Sequence, residues 1–512
     1  MNIGIDLDNT IINYDKRFVD VASKKKYINK NWKGVKQDLK EEIKKLENGN
    51  AKWNKVQSIV YGDLSKKVFV NIGFYEFLWR AKLKKHNIFI ISHKTIHPHY
   101  NKNIFLRDEA NKFLNRNNII KLVGARNIYY TDSLKDKICL INSKNLDWFI
   151  DDLEEVLNNT NISINLKKIK YSKYKCENIE TTNNWYKISD IIFGKVQKYE
   201  YKNFIKNEYK DFNITSIKTI NTGISNSNTY QLYTAKNKYV CKYYPISEIN
   251  CGRSRLETEI LAYTILDNNK ILNIPKLRAV NKNLNCILFD YVNGEKIRNY
   301  NETHITHAVR FIKRLKKVNF SKNRFNFLAK EAITSINDLF SQITKRLLKL
   351  EGINTLDNST RKHVDNIKYY LNVIRKKYQI SISQNEIIPK SKLVLSPSDF
   401  GFHNALSYND DIVWLDFEYF GFDDPAKLII DFILHPGMNL NKKLARDWFL
   451  KISKIFKTDK DINMRMRQYW PLICIRWCLI ILLKSDKSDW VTQRIKSEET
   501  LKRIDFPYYL SE

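Results

Sequence analysis

Met1-Asn2-Ile3-Gly4-Ile5-Asp6-Leu7-Asp8-Asn9-Thr10 opens the chain, and its reading decides the fold of the first half. The apolar run Ile3-Gly4-Ile5 reads as a buried strand, Asn2 to Leu7, that delivers Asp6, Asp8 and Thr10 at its carboxyl end. Residues two apart on a strand share a face. Asp6 and Asp8 therefore suit an aspartyl-phosphate site, one as nucleophile toward phosphorus and the other as proton donor.

Working outward, Ile88 to Ile91 reads as a second buried strand ending at Ser92, Asn127 to Tyr130 as a third, and Trp148 to Ile150 as a fourth that runs into Asp151-Asp152. Strands alternating with helical stretches predict a parallel sheet with helices on both faces and ligands at the carboxyl ends of its strands. The Lys- and Trp-containing stretch of about residues 14–70 reads as helical and predicts a cap over that site.

Asp6-x-Asp8-x-Thr10 after a strand, Ser92 ending the next, and Lys137 upstream of Asp151-Asp152 resemble the four motifs of the haloacid dehalogenase (HAD) superfamily. The resemblance covers residues 1–190 and implies a Rossmann-like α/β phosphatase domain. It implies that Asp6 attacks the phosphoryl group, that Asp8 protonates the leaving oxygen, and that Thr10, Ser92 and Lys137 hold phosphoryl oxygens. Lys135 lies on nearly the same stretch as Lys137, and Asp151 and Asp152 compete for one role. Candidate Mg²⁺ ligands are Asp6, Asp8, Asp151 and Asp152, oxygen donors of the kind a hard cation takes. The loop after Ser92 also carries His93, His97 and His99; His-x-His spacing alone is poor grounds for zinc.

The pattern changes near Asn183-Asn184-Trp185, and a second unit is expected over residues 200–512. Ile217 to Ile220, Thr229 to Thr234 and Tyr239 to Tyr243 read as strands joined by polar turns. Long helical patterns follow Ile297, broken by the polar loop Ser396 to Asn404 and a short strand Ile412 to Leu415. Gly-x-x-x-x-Gly-Lys-[Ser/Thr] does not occur, which argues against a P-loop kinase. In its place stands an ordered series: Gly223-Ile224-Ser225-Asn226 between two strands, Lys242 on the next, Glu259 on the ensuing helix, Asp399 with Asn404 five residues later, and Asp416 after a strand. That series suits phosphoryl transfer. A Lys–Glu pair aims an ammonium at phosphates, one aspartate positions the acceptor hydroxyl, and Asn404 and Asp416 hold metal.

These pieces, with Leu288-Phe289-Asp290-Tyr291-Val292-Asn293-Gly294 and Asp416-Phe417-Glu418-Tyr419, resemble the aminoglycoside phosphotransferase and choline kinase family. The resemblance implies a bilobal α+β protein-kinase-like fold, with an N-lobe at about 212–292 and a C-lobe at about 293–512. It implies ATP bound by Gly223, Ser225, Asn226, Lys242, Glu259, Phe289 and Tyr291, and transfer to a small-molecule hydroxyl. Pro397-Ser398-Asp399 stands where the family commonly has His-Gly-Asp. Trp470 and Trp477, seven apart on one helical face, suit core packing better than a cage for a quaternary ammonium.

A formal charge of +33 is spread through every segment, with no long basic tail, and argues for a solvated surface over a nucleic-acid partner. Seven cysteines without Cys-x-x-Cys spacing fit reduced thiols in a cytoplasmic protein. The longest apolar run, Leu472 to Leu483, is interrupted by Arg476 and reads as too short for a membrane span.

The expectation is a bifunctional enzyme that uses Mg²⁺ and ATP: a phosphatase for a small phosphate ester joined to a kinase for a sugar or amino alcohol. Such a fusion suggests consecutive steps toward a surface polysaccharide. Two rivals are a degenerate domain that senses nucleotide or phosphate, suggested by Pro397-Ser398, and a nucleic-acid end-processing phosphatase–kinase, suggested by the charge.

Overall fold

The computed structural model describes all residues except 30–31, 33, 65–67, 99–101, 221–227, 245–252, 319–326, 378–386, 439, 485–488 and 511–512. Gly223, Ser225 and Asn226, together with His99 and Cys251, lie outside the described residues. The chain divides into two compact units, Met1–Ile214 and Thr215–Glu512.

In the first unit a six-stranded sheet has the order Ile128–Thr131, Asn87–His93, Asn2–Ile5, Trp148–Asp151, Lys167–Lys170, Glu180–Thr181. Every pairing in it is parallel. Ile3 and Ile5 are fully buried, as a strand covered on both faces requires. The chain runs outward in one direction from Asn2–Ile5 and then returns to its other side at Trp148–Asp151, so strand order reverses between these two neighbours. Such a switch point leaves a crevice at the carboxyl ends, and Asp6 and Asp151 are both there. The helices Asp15–Lys24, Lys36–Lys44 and Gly49–Tyr61 lie between the two strands of a small hairpin, Ile12–Asn13 with Phe69–Val70. Sequence reading passed over Lys167–Lys170 and Glu180–Thr181, which are short and rich in charge.

Asn184 caps the helix Trp185–Phe193 by accepting from Tyr186 N–H at 2.9 Å. The fully buried Trp185 then donates Nε1–H to the Thr10 carbonyl at 3.0 Å. The polar stretch that reads as a change of pattern is thus a helix start that braces the first site. Behind it, the fully buried Arg80 bonds Asp190 at 3.1 Å and Glu200 at 3.4 Å, which anchors the helix Lys198–Glu208 in this unit.

Glu76, one turn before Arg80, is pushed up to about 7 by burial, with Asp190 and Glu200 adding to the shift and Arg80 opposing it. A carboxyl raised in the folded state contributes stability while protonated and loses it as pH rises from about 4.5 through about 7. Glu76→Gln is therefore expected to stabilise the fold at about pH 8 by an amount on the order of 2–3 kcal/mol, seen as a higher melting temperature, and to change little near pH 4. Thermal unfolding at both pH values checks this; equal shifts at the two would show that titration is not the cause.

The second unit starts with a five-stranded antiparallel sheet in the order Leu277–Asn281, Cys286–Asp290, Lys238–Tyr243, Asn228–Tyr233, Ser216–Ile220. The helix Arg255–Asn268 is capped by Ser254, whose side chain accepts from Glu257 N–H at 3.1 Å. A helical lobe follows, with two small antiparallel sheets, Glu295–Lys296/Ala405–Tyr408/Asp411–Trp414 and Val394–Ser396/Gly421–Asp423. The mixed α/β character expected for the chain is what the two units show.

The apolar run read as Leu472 to Leu483 belongs to a longer helix, Ile462–Leu483, of 22 residues. By length and composition it is long and apolar enough to cross a membrane, and 72% of its most apolar stretch is buried inside the unit. Arg476 is accommodated there by a 2.5 Å ion pair with the buried Asp431. Trp470 and Trp477 are core residues; their Nε1–H groups donate to the Arg503 carbonyl and to Asp431. Among the described residues the cysteines are free thiols.

Candidate active sites

At the switch point of the parallel sheet, Lys137 donates to Asp6 Oδ1 at 2.7 Å and to Asp151 Oδ2 at 2.6 Å, with all three side chains buried. Lys135 is exposed, so Lys137 is the lysine that reaches the carboxylates. One turn into the helix Leu134–Ser143, its side chain points back toward the N-terminus of that helix, as helical side chains do. Carboxylate oxygens of Asp6, Asp151 and Asp152 lie within 4.8 Å of one another. Asp152 accepts from Asn9 at 2.9 Å, and Asn9 has a positive φ of 62° that turns the chain between Asp8 and Thr10.

Asp8 stands apart from this trio. Its oxygens accept from Lys94 at 2.7 Å and from the Tyr14 hydroxyl at 2.6 Å, and of the four carboxylates read as metal candidates it is the one outside the close trio. Burial works to raise the Asp8 carboxyl, but the charge and hydrogen bond of Lys94, with that of Tyr14, outweigh it and hold the group below the usual range. Asp6 goes the other way: burial raises it well above the usual range against the pull of Lys137, and Asp151, Asp152 and Asp8 add to the rise. Two carboxyls two residues apart are thereby driven in opposite directions, each by the groups the fold sets beside it.

Thr10 and Ser92 are buried at the same edge of the sheet, and neither hydroxyl oxygen has a hydrogen-bond partner among the described residues. Buried orphan hydroxyls are costly. Lys94, Tyr14 and Lys36 were missed by sequence reading. Lys94 had a signal, since it is two residues beyond Ser92 and shares its face. Lys36, from the helix Lys36–Lys44, lies 5.6 Å from the ring centroids of Phe18 and Tyr61 and lowers Asp152 electrostatically, although burial still pushes that carboxyl up to about 7. Of the loop histidines, His93 contacts the Asp132 carbonyl and His97 the Ile104 carbonyl; neither joins the carboxylates.

In the second unit Lys242 reaches Glu259 at 2.8 Å, Asp416 at 2.8 Å and Glu418 at 3.0 Å. Glu259 is held in turn by the Tyr244 hydroxyl at 2.6 Å and by Phe417 N–H at 3.2 Å, and Glu418 by Arg255 at 2.9 Å. Burial pushes Asp416 up to about 7 against the attraction of Lys242, with Glu418 and Glu259 adding. Asp399 and Asn404 share the loop between Val394–Ser396 and Ala405–Tyr408, where the Asn404 amide donates to the Asp399 carbonyl at 3.0 Å. Ser398 takes a φ of 69°, a conformation glycine adopts without strain. The Ser396 hydroxyl accepting from Ser398 N–H at 3.0 Å, and the Ser398 hydroxyl donating to the Lys330 carbonyl at 3.1 Å, hold it there. Phe289 is buried against Tyr263, and Tyr291 N–H bonds the Lys238 carbonyl at 3.2 Å. Sequence reading missed His403 and His435, which both approach Asp399.

No protein-family model and no curated protein matches the chain. Among solved structures it is similar to an ethanolamine kinase of Plasmodium vivax, with 14% identity over 66% of this chain and 98% of that chain and a TM-score of 0.42. It is similar to the choline kinase LicA of Streptococcus pneumoniae, with 13% identity over 59% of this chain and 98% of that chain and a TM-score of 0.41. An ADP-bound aminoglycoside phosphotransferase, APH(2'')-Ib, has 17% identity over 61% of this chain and 100% of that chain, with a TM-score of 0.41.

Proposed function

We propose that the chain is a bifunctional phosphoryl-transfer enzyme, with an HAD-type phosphomonoesterase in the first unit and an ATP-dependent small-molecule kinase in the second. One observation carries this reading: each unit gathers, from distant positions, a buried lysine braced by carboxylates, Lys137 by Asp6 and Asp151, and Lys242 by Glu259, Asp416 and Glu418. In each cluster the carboxylates outnumber the lysine, and burial, with the neighbouring carboxylates adding, raises Asp6 and Asp416. All-oxygen donor sets with surplus negative charge fit Mg²⁺. Asp6, Asp151 and Asp152 would hold it in the first unit, and Asp416 and Asn404 in the second. When bound, Mg²⁺ supplies the positive charge that lets an anionic or oxygen nucleophile approach phosphate.

In the phosphatase, an Asp6 oxygen attacks phosphorus, the bond from phosphorus to the ester oxygen breaks, and Asp8 passes a proton to that oxygen. Lys137 and the hydroxyls of Thr10 and Ser92 take the phosphoryl oxygens. Water then attacks phosphorus, Asp8 accepts its proton, and the bond from phosphorus to the Asp6 oxygen breaks, releasing inorganic phosphate and restoring the Asp6 carboxylate. In the kinase, Lys242 holds ATP phosphates with Glu259 as its brace. Asp399 orients the acceptor hydroxyl and takes its proton as the acceptor oxygen bonds to the γ-phosphorus and ADP leaves. A phosphatase and kinase on one chain suit consecutive steps on one small molecule, such as a sugar or amino alcohol for a surface polysaccharide.

The test is ATP consumption by the Asp6→Asn chain, whose phosphatase cannot erase product, against sugars, amino sugars, choline, ethanolamine and aminoglycosides, with aryl phosphate hydrolysis by the parent alongside. One acceptor class is expected to stimulate turnover. Silence in both assays with Mg²⁺ present would overturn the reading.

A further inference from the structure

Asp399 is gripped by two histidines that no motif singles out. Nε2 of His403 and Nε2 of His435 each lie 3.1 Å from Asp399 Oδ1. The two rings are parallel to within 3°, with centroids 3.9 Å apart. His403 comes from the short turn Phe402–Asn404, and His435 follows the last residue of the helix Pro425–Leu434. The geometry points to His403 and His435 as positioning residues for phosphoryl transfer: together they clamp Oδ1 of Asp399 so that its other oxygen, Oδ2, faces the acceptor hydroxyl. This rests on the kinase reading above.

The hydrogen-bond pattern of His435 decides what the pair does. Gly437 N–H donates to His435 Nδ1 at 2.9 Å, so that nitrogen bears the lone pair and the ring hydrogen is on Nε2. Nε2–H then donates to Asp399. A ring nitrogen that carries its hydrogen is no metal ligand. The ligand atoms of Asp399, His403 and His435 do lie within 4.8 Å of one another, yet the tautomer makes the trio a hydrogen-bonded clamp. Trp477 packs edge-on against His435 at 4.5 Å and is itself tied to Asp431 by its Nε1–H at 2.9 Å, so the clamp is anchored in the core.

Two glycines make room for the stacked rings. A Cβ on Gly401 would lie 2.7 Å from His403 Nδ1 and 2.9 Å from Met438 Sδ, and one on Gly437 would lie 3.0 Å from His435 Nδ1 and 3.3 Å from His403 Cβ. Gly401 is extended, with a φ of 173°, and neither glycine lies in the left-handed region, so space for the rings is what they provide. Two donors on one oxygen weaken Asp399 as a base, and the hydrogen bonds from both histidines do hold it well below the usual range although burial works to raise it. Transfer through a loose transition state asks for orientation more than basicity, so the clamp trades base strength for aim.

The experiment uses the full chain carrying Asp6→Asn and the acceptor found in the screen. His435→Leu is expected to lower kcat by about 10²-fold, the cost of a misaimed group, with KM for ATP and affinity for ADP unchanged. His435→Gln, whose amide N–H stands near the place of Nε2, should recover most of that loss. His403→Leu, at a more exposed position, should fall in the same direction and serves if His435→Leu does not fold. Parental kcat in the leucine variants, or equal losses in His435→Leu and His435→Gln with ADP binding intact, would overturn the clamp and leave the kinase standing. A parent that transfers phosphate to no acceptor overturns the kinase reading, and the clamp with it.

Discussion

Asp6→Asn is expected to abolish Mg²⁺-dependent hydrolysis of an aryl phosphate, a loss on the order of 10⁴-fold or more for removal of a nucleophile, while ATP turnover by the second unit is unchanged. An amide is a far poorer nucleophile and cation ligand than a carboxylate. The substitution also leaves Lys137 its 2.6 Å bond to Asp151, so the buried ammonium keeps a partner and the fold should persist. Initial rates with parent and variant, each checked by thermal unfolding, decide it; parental hydrolysis in a folded Asp6→Asn chain removes Asp6 from the mechanism. Asp8→Asn should be severely impaired as well. It is expected to accumulate a phosphoenzyme when hydrolysis of the intermediate slows more than its formation, and acid-quench labelling with phosphate ester reads this directly.

Asp399→Asn should lower transfer to the acceptor by about 10²–10⁴-fold, the usual range for loss of a positioned base, while leaving nucleotide binding intact. Asp416→Ala should do the reverse at the binding step. Asp416 is one of the carboxylates on Lys242, so its removal strips both the proposed metal ligand and a partner of that lysine. Calorimetric titration of ADP with Mg²⁺ separates the two variants, and turnover in the Asp6→Asn background measures the rest. Loss of ADP affinity in Asp399→Asn, or its retention in Asp416→Ala, would reverse the assigned roles of the two aspartates.

Local pattern was enough to read Asp6, Asp8 and Thr10 as the end of a buried strand and Asp151 as the end of another, because an apolar run of strand length followed by polar residues has few other meanings. The spacing from Asp399 to Asn404 was legible for the same reason, since both residues belong to one loop. What sequence could not supply was partnership across the fold. Asp8 reads as one of four like carboxylates, and only the fold joins its oxygens to Lys94, just past the neighbouring strand, and to Tyr14. Glu418 reads as a neighbour of Asp416 until Lys242 and Arg255 converge on it. His403 and His435 have no shared periodicity, and only the packing of the segment after Pro425–Leu434 against the Asp399 loop stacks them. The strand ends were determined by residues adjacent in the chain, whose geometry is a matter of backbone period. The charges, tautomers and free oxygens at the two sites were decided by contacts between residues far apart in sequence, and those exist only once burial has brought them within hydrogen-bond reach.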